Sequence, residues 1–393
     1  MPKQQFDKLL ENPIRESEKF WVTHAQWLEQ MGYRLRPRYQ PGWVMKPQPI
    51  EEFLSDPDNV SNLWTAVLDA IRISDNKPVM LKKISRSRHP QEVEIGLYFS
   101  REDLAANPRN HCVPILDVLT VPDDDDIDLI VMPLLRKFHN PKFNTGGEVV
   151  DFIRQILEGV QFMHEHRIAH CDCMDLNILM DGAEMFPEGW HPLSDRNKRD
   201  NATQYAKPVG SRTRFWPKYY LVDFGLSRII DPRNGPPLFP IILGGDKTPP
   251  EHGKAYMRTN PFPTDVYFIG NLIRETFLQS EDPVTRGRLG FLQSLVDDMV
   301  QEDPVKRPTI DEVVLRFDDL WRSQPRQIFT KAPDTWSYEI VYADPFHNIL
   351  SRWSNFLINR PALPRIEKPK ARLPPELRWF YSSAPLKYPD NDY

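Results

Sequence analysis

The sequence predicts an α+β protein, with a small, mostly β part first and a larger helical part after it. Two patterns carry that prediction. From about residue 62 to 132, short runs rich in aliphatic and aromatic residues are separated by turn residues, as strands require. From residue 145 onward, apolar residues recur at helical spacing in four successive segments. Strands gathered first and helices afterwards mark the α+β class. At about 150 residues per domain, 393 residues allow two or three compact units or one large two-lobed domain.

Residues 15–31 read as an amphipathic helix, with Phe20, Trp21, Trp27, Leu28 and Met31 at near-helical spacing, and such a face needs a surface to dock on. An extended, proline-punctuated segment follows. Its Arg34, Arg36 and Arg38 read as packed or solvated charges before they read as a nucleic-acid patch, because the chain is acidic. The β region runs through Leu63, Trp64, Ala66, Val67, Ala70, Ile71 and Ile73, turns at Ser74, Asp75 and Asn76, and continues from Val79 to Ile84. A short helix over 91–101 follows, then strands over 113–121 and 127–132 around the acidic turn 123–126. Thr145 and Glu148 form a capping box before an apolar stripe that includes Val149, Phe152, Ile156, Val160 and Met163. Further helices are expected over 264–278, 285–301 and 309–321, the last opened by a second box, Thr309 with Glu312. Segment 181–218 is polar and irregular and reads as an inserted surface loop, and the proline-rich residues from 361 read as an extended tail. The expected division is an N-terminal helix and arm (1–54), a small lobe (55–135), a large lobe (136–324) carrying the insertion 181–218, and a tail (325–393).

Composition narrows the class of function. With 40% hydrophobic and 27% charged residues the chain matches ordinary globular proteins, which excludes disordered and collagen-like classes. Its 39 prolines against 17 glycines call for long, stiffened connections. A formal charge of -5 argues against a general electrostatic grip on nucleic acid or anionic membrane. Three cysteines, Cys112, Cys171 and Cys173, cannot form a disulfide scaffold and suit a reducing compartment, cytoplasm or nucleus. No signal-peptide core and no run approaching ~18 uncharged apolar residues is present, so neither secretion nor membrane insertion is expected.

The strongest chemical signal is His170-Cys-Asp172-Cys-Met-Asp-Leu-Asn177, directly after the long helix and before Ile178-Leu-Met180. It has the form H-x-D-x-x-x-x-N on a helix-to-strand loop. There an aspartate can accept a proton from a substrate hydroxyl, and an asparagine five residues on can hold a metal ion. The second signal is Tyr219-Tyr-Leu-Val-Asp223-Phe-Gly225, a short apolar strand ending where a carboxylate emerges to bind Mg²⁺ and a glycine lets the chain turn. Each pattern alone arises by chance, and the two in this order are far more specific.

With these motifs the chain resembles the eukaryotic protein kinase superfamily over about residues 60–322. The resemblance implies a two-lobed protein-kinase-like fold with ATP and Mg²⁺ between the lobes. It assigns Lys82, in Val79-Met-Leu-Lys82, to the α- and β-phosphates, with Glu94 as its ion-pair partner and Glu92 as the fallback. Asp172 becomes the catalytic base, and Asn177 and Asp223 the Mg²⁺ ligands. Val67 and Met80 are assigned to the adenine side of the nucleotide. The run Leu129-Ile-Val-Met132 with Pro133 and Leu135 resembles the strand entering the hinge, where backbone groups meet adenine and Met132 guards the back pocket. Pro249-Pro-Glu251 resembles A-P-E, Arg307 looks like its buried salt-bridge partner, and Asp265 matches the helix carboxylate that braces the catalytic loop. The helix before Tyr33, the segment from there to Trp43 and the spelling His-Cys-Asp-Cys-Met-Asp are similar to a large group of kinase-like proteins of mushroom-type fungi.

Four departures bear on mechanism. The three glycines of the family's phosphate loop would fall at Val60, Asn62 and Thr65, so the clamp is weakened or reshaped. Met80 replaces a small residue against adenine, and Met174 stands where serine/threonine kinases carry a lysine near the γ-phosphate. Cys171 replaces the arginine that receives a phosphorylated activation segment, so that switch is not expected. The expected activity is transfer of the ATP γ-phosphate to a protein hydroxyl of serine or threonine. The alternative is a pseudokinase, a binding or scaffold module with weak or no catalysis; a small-molecule phosphotransferase is the third reading. His170 reads as a packed core residue and not a base. Cys171 and Cys173 lack the spacing of a zinc knuckle, and Gly244 to Thr248 lacks that of a P-loop.

Overall fold

The computed structural model of the chain describes residues 14–46, 48–235, 237–241, 244–253, 257–279, 288–330, 363–364, 366–375, 377, 381 and 386–387. The fold mixes helices with antiparallel strands and is compatible with the α+β class, with its largest sheet formed by early strands and smaller sheets among the later helices. The chain divides into two compact units, neither contiguous in sequence: Met1–Pro90 with Pro114–Asn140 and Asp181–Val209, and Gln91–Val113 with Pro141–Met180 and Gly210–Tyr393.

The first unit is built on a five-stranded sheet in the order β1-β2-β3-β5-β4, from β1 (Tyr33–Arg34), β2 (Val67–Arg72), β3 (Lys77–Ser85), β4 (Asp117–Thr120) and β5 (Ile127–Pro133). The β2–β3 hairpin turns through Asn76, whose φ of 57° an asparagine tolerates better than most residues. Alternation along the strands sends Leu68, Ala70, Val79, Leu81, Leu129 and Val131 to one face, where they form a core with Trp21, Ala25 and Leu28 of the Lys19–Gln30 helix. The sheet is therefore the surface that the amphipathic helix needed. Each such fully buried large side chain contributes about 2 kcal/mol.

The arginines of the arm are packed or solvated, as the acidic balance of the chain suggested: Arg34 is exposed, while Arg36 and Arg38 are engaged. Arg38 forks onto Glu18 at 2.8 and 2.9 Å with both side chains buried, and Arg36 reaches Asp69 at 3.1 Å.

The insertion differs from its expectation as a surface loop. Residues Asp181–Val209 fold into the first unit, and only 210–218 stay with the second, where they include the short helix Arg212–Phe215. Met185, Phe186, Trp190 and His191 are buried, and the Arg136 guanidinium lies 3.9 Å from the Phe186 ring centroid and 5.4 Å from that of Trp190. His191 donates from Nε2 to the Pro57 carbonyl at 3.3 Å while its Nδ1 accepts from the Leu193 amide. The large apolar anchors outweigh the polar residues between them.

The second unit centres on the Gly146–Glu165 helix, buried along most of its length and packed by Ile310–Arg322 and Pro261–Ile273. Thr145 caps it by accepting from the Glu148 amide, but Glu148 turns to the Asn144 amide and Thr213 instead of closing the box. Thr309 and Glu312 make both halves of theirs. The helix expected from 264 begins at Pro261 because Asn260 caps it with proline in the first turn, and it runs into a π-helical turn, Arg274–Leu278. The first residues of the helix expected over 285–301 lie outside the described residues; its described α-helical part is Gln293–Met299. In the tail, 331–362 lie outside them as well, while Arg372 and Leu373 dock through their amides on Asp311. Among the described residues no helix is long and apolar enough to cross a membrane.

Candidate active site

In the second unit, a hairpin of Ile178–Met180 with Tyr219–Leu221 aligns the two sequence motifs. Its register pairs Ile178 with Leu221, and the Val222 amide donates to the Asn177 carbonyl at 3.0 Å, so Asn177 and Asp223 leave the same end of the hairpin. Asn177 donates from Nδ2 to Asp172 Oδ2 at 2.8 Å and to the Asp172 carbonyl at 2.9 Å. The other carboxylate oxygen, Oδ1, accepts the Gly245 amide at 3.1 Å. The structure thus brings Asp172 and Asn177 into direct contact, with Asp223 close enough to act on Asp172 electrostatically. Burial, with the neighbouring Asp223 carboxylate adding to it, pushes the Asp172 carboxyl above the ordinary aspartate value, and its donors offset part of the rise.

The sequence reading missed the part played by Gly244 and Gly245. A Cβ at Gly244 would collide with Asp172 Oδ1 and displace the carboxylate, whereas one at Gly245 would meet only the flexible Met174 thioether, so the close approach to the carboxylate depends on Gly244. The available signal was a glycine pair in a glycine-poor chain.

Two residues beside Asp172 are held in the left-handed region without being glycine: Cys171 at φ 66° and Asp223 at φ 67°. Each costs roughly 1 kcal/mol or more, which the surroundings must offset. For Cys171 the offset is visible. Asp265, fully buried, accepts the His170 amide on Oδ2 and the Cys171 amide on Oδ1, both at 2.7 Å, and His164 Nε2 donates to Oδ2 at 2.9 Å. This is the brace expected of Asp265. The His170 ring is buried, donates from Nε2 to the Val222 carbonyl at 3.1 Å, accepts the Asp172 amide on Nδ1 at 3.3 Å and meets the Phe224 ring edge-on. It is packed, as expected. Burial, and after it the Asp265 carboxylate, pushes the Cys171 and Cys173 thiols up, so neither is poised as a thiolate. The pair expected between Glu251 and Arg307 also forms, bidentate at 2.7 and 2.7 Å.

Among the described residues no group of three or more His, Cys, Asp or Glu side chains could hold a metal ion. Asn177 and Asp223 still fit Mg²⁺, which keeps most of its shell as water and phosphate oxygen and takes one or two protein oxygens. Asn177 spends its amide nitrogen on Asp172, so Oδ1 is the atom with which it could serve a metal.

In the first unit, five of the expected nucleotide residues fall on three adjacent strands. Lys82 pairs with Val67 on one side and Ile130 on the other, Met80 with Asp69 and Met132, and Val79 with Pro133. The alternation puts Val67, Met80, Lys82 and Met132 on one face of the sheet, opposite the one the Lys19–Gln30 helix covers. Met132 is buried, Met80 and Lys82 are half-buried, and Leu135 lies just past β5. In the Glu92–Phe99 helix of the second unit, Glu94 is exposed, whereas Glu92 is 2% exposed and shares its inward side with Ile95 and Phe99. Residues two apart on a helix face nearly opposite ways, which is why one of the two carboxylates is buried and the other exposed.

The segment that stands for the glycine loop is built differently. Asn62 is fully buried: its amide donates to Glu18 Oε1 at 2.9 Å, its Nδ2 to the Val67 carbonyl at 2.6 Å, and its Oδ1 accepts the Trp64 amide at 2.9 Å. The Ser17 hydroxyl donates to its carbonyl at 2.8 Å. The loop is latched to the N-terminal helix. Asn62→Gly is therefore expected to cost about 1–3 kcal/mol of stability, through the buried groups left unpaired, without tightening Mg-ATP binding. A melting curve beside a nucleotide titration reads both, and tenfold tighter binding would count against the latch.

No protein-family model matches the chain, and no curated protein matches it.

Proposed function

We propose that the chain is a protein kinase, transferring the γ-phosphate of ATP to a serine or threonine hydroxyl of a protein, with the two units carrying the small and large lobes of that fold. The observation that supports it most is the geometry around Asp172. The carboxylate is oriented by Asn177 and Gly245, on a backbone whose preceding amides are bound by Asp265, next to a hairpin that sends Asn177 and Asp223 out together. The Glu251–Arg307 pair adds a match remote from the chemistry.

In this reading Asp172 accepts the proton of the substrate hydroxyl, and its raised pKa makes it a better acceptor than a solvated aspartate. Lys82 holds the α- and β-phosphates, with a carboxylate of the Glu92–Phe99 helix, Glu94 or Glu92, to orient it. Mg²⁺, held by Asn177 and Asp223, supplies charge neutralisation to the phosphates when bound. Met174 leaves the γ-phosphate without the usual lysine, so the rate depends more heavily on the metal and on Lys82.

One observation favours a second reading, a pseudokinase acting as a binding module: Asn62 is tied into the first unit's core and cannot close over phosphates as a glycine loop does. Transfer from radiolabelled ATP to a general protein substrate, run beside a Mg-ATP binding measurement, separates the two. Transfer supports the kinase, binding alone supports the module, and neither result rejects both.

A further inference from the structure

The tail delivers one buried ring to the brace behind Asp172. Tyr381 is 3% exposed, and its ring stacks on Phe262 with centroids 5.6 Å apart and planes 13° apart. His164 meets the same Phe262 edge-on at 4.6 Å. The Tyr381 hydroxyl is hydrogen-bonded to His164 Nδ1. A carboxylate can only accept, so the ring nitrogen facing Asp265 carries the hydrogen, and Nδ1 of the neutral imidazole accepts the proton of the hydroxyl. The imidazole is then the tautomer with its hydrogen on Nε2, the atom that faces Asp265 Oδ2 at 2.9 Å. Asp265 in turn binds the His170 and Cys171 amides, and Asp172 follows. Burial holds the Tyr381 hydroxyl protonated far beyond neutral pH, so its role as donor is constant.

A second, independent anchor holds the same part of the tail. Asp311 accepts the Arg372 and Leu373 amides at 2.8 to 3.0 Å, and Gln161 Nε2 bridges Asp311 and the Lys370 carbonyl at 2.7 and 3.0 Å, three residues before His164 on its helix.

We propose that Tyr381 is a positioning residue for the catalytic loop, acting through His164 and Asp265 to hold the backbone on which Asp172 stands. Its effect on rate rests on the kinase reading above; its effect on the loop rests on this geometry alone. Without the hydroxyl, Nδ1 is buried with no donor and the ring loses the bond that fixes its orientation, so the Nε2–H bond to the buried Asp265 carboxylate is held less firmly. The left-handed backbone at Cys171 then loses part of what offsets its strain.

The test uses the full chain as wild type, Tyr381→Phe, His164→Ala and the double variant, with two readouts: amide hydrogen exchange over 168–174, and kcat with KM for ATP. Tyr381→Phe keeps the stacked ring, so a packing role alone would leave it like wild type. The expected result is about tenfold faster exchange at 170–171, no change in the Lys19–Gln30 helix, and kcat about fivefold to tenfold lower with KM within about twofold. In the His164→Ala background the Tyr381→Phe change should add nothing, because the relay is already cut. Unchanged exchange at 170–171, or faster exchange throughout the second unit, overturns the proposal. If the wild type transfers no phosphate, the exchange result still decides on Tyr381, and the failure belongs to the kinase reading.

Discussion

Asp172→Ala is expected to lower phosphoryl transfer at least ~10²-fold while leaving Mg-ATP binding within about threefold of wild type. The side chain accepts from Asn177 and from Gly245, and it is the one carboxylate that the loop aims from a braced backbone. Its removal takes away proton acceptance and hydroxyl alignment together, and the loop amides at 170 and 171 keep their partner in Asp265. Asparagine is not a silent isostere here: both contacts of Asp172 are with donors, so an amide nitrogen would face either Asn177 Nδ2 or the Gly245 amide. The pH profile carries an independent signature. Burial, with Asp223 adding to it, raises the Asp172 pKa in the free protein, so the base is lost to protonation at a higher pH than an ordinary aspartate and the acid limb of kcat/KM, which reports the free enzyme, shifts upward accordingly. Asp223→Ala should cost as much in rate and also weaken Mg²⁺ dependence. Wild-type turnover in either variant would sink the kinase reading.

What the sequence made legible was chemistry at fixed offsets and local pattern. Asp172, Asn177 and Asp223 could be singled out because the motifs fix their offsets along a loop and a strand end, and the hairpin register brings Asn177 and Asp223 to one end of it. The β2–β3 hairpin and the Thr309 capping box were legible for the same reason, being local. Glu92 and Glu94 could not be separated by motif, because the choice is one of helix phase, and two residues of slip turn a carboxylate from inside to outside. The contact between Asn62 and Glu18 spans 44 residues, and no periodicity announces it; the missing glycines were visible, their replacement by a latch to the N-terminal helix was not. The insertion misled for a different reason. The polar run at 195–200 dominated its appearance, while the burial of Phe186 and Trp190 depends on Arg136, far back in the chain.

Arg307→Ala is expected to produce the largest loss of stability, about 3–5 kcal/mol, because it leaves a buried carboxylate without its counter-charge. Arg307 is 3% exposed and Glu251 2%. The guanidinium holds both carboxylate oxygens at 2.7 Å, donates from Nε to the Gln301 carbonyl at 2.8 Å and lies 4.7 Å from the Tyr267 ring centroid. Thr264 gives Glu251 only one further hydroxyl, at 2.8 Å. Burial by itself pushes the Glu251 carboxyl up, and Arg307 with Thr264 more than offsets it, so the folded pKa lies below the ordinary 4.5. A depressed folded pKa means that the pair's contribution is present above pH 4.5 and is lost as pH falls through the folded value. In Arg307→Ala the burial effect is opposed mainly by hydrogen bonds, that of the single Thr264 hydroxyl among them, the folded pKa rises above the unfolded one, and the sign reverses: the variant is penalised more as pH rises through 4.5. The gap in melting temperature between wild type and Arg307→Ala should therefore be widest near pH 7 and narrow steadily towards pH 4. Arg307→Lys should recover part of it, since a point charge restores neutralisation without the fork. A gap that stays constant over that range would mean that lost packing against Tyr267, and not the uncompensated Glu251 charge, accounts for the destabilisation.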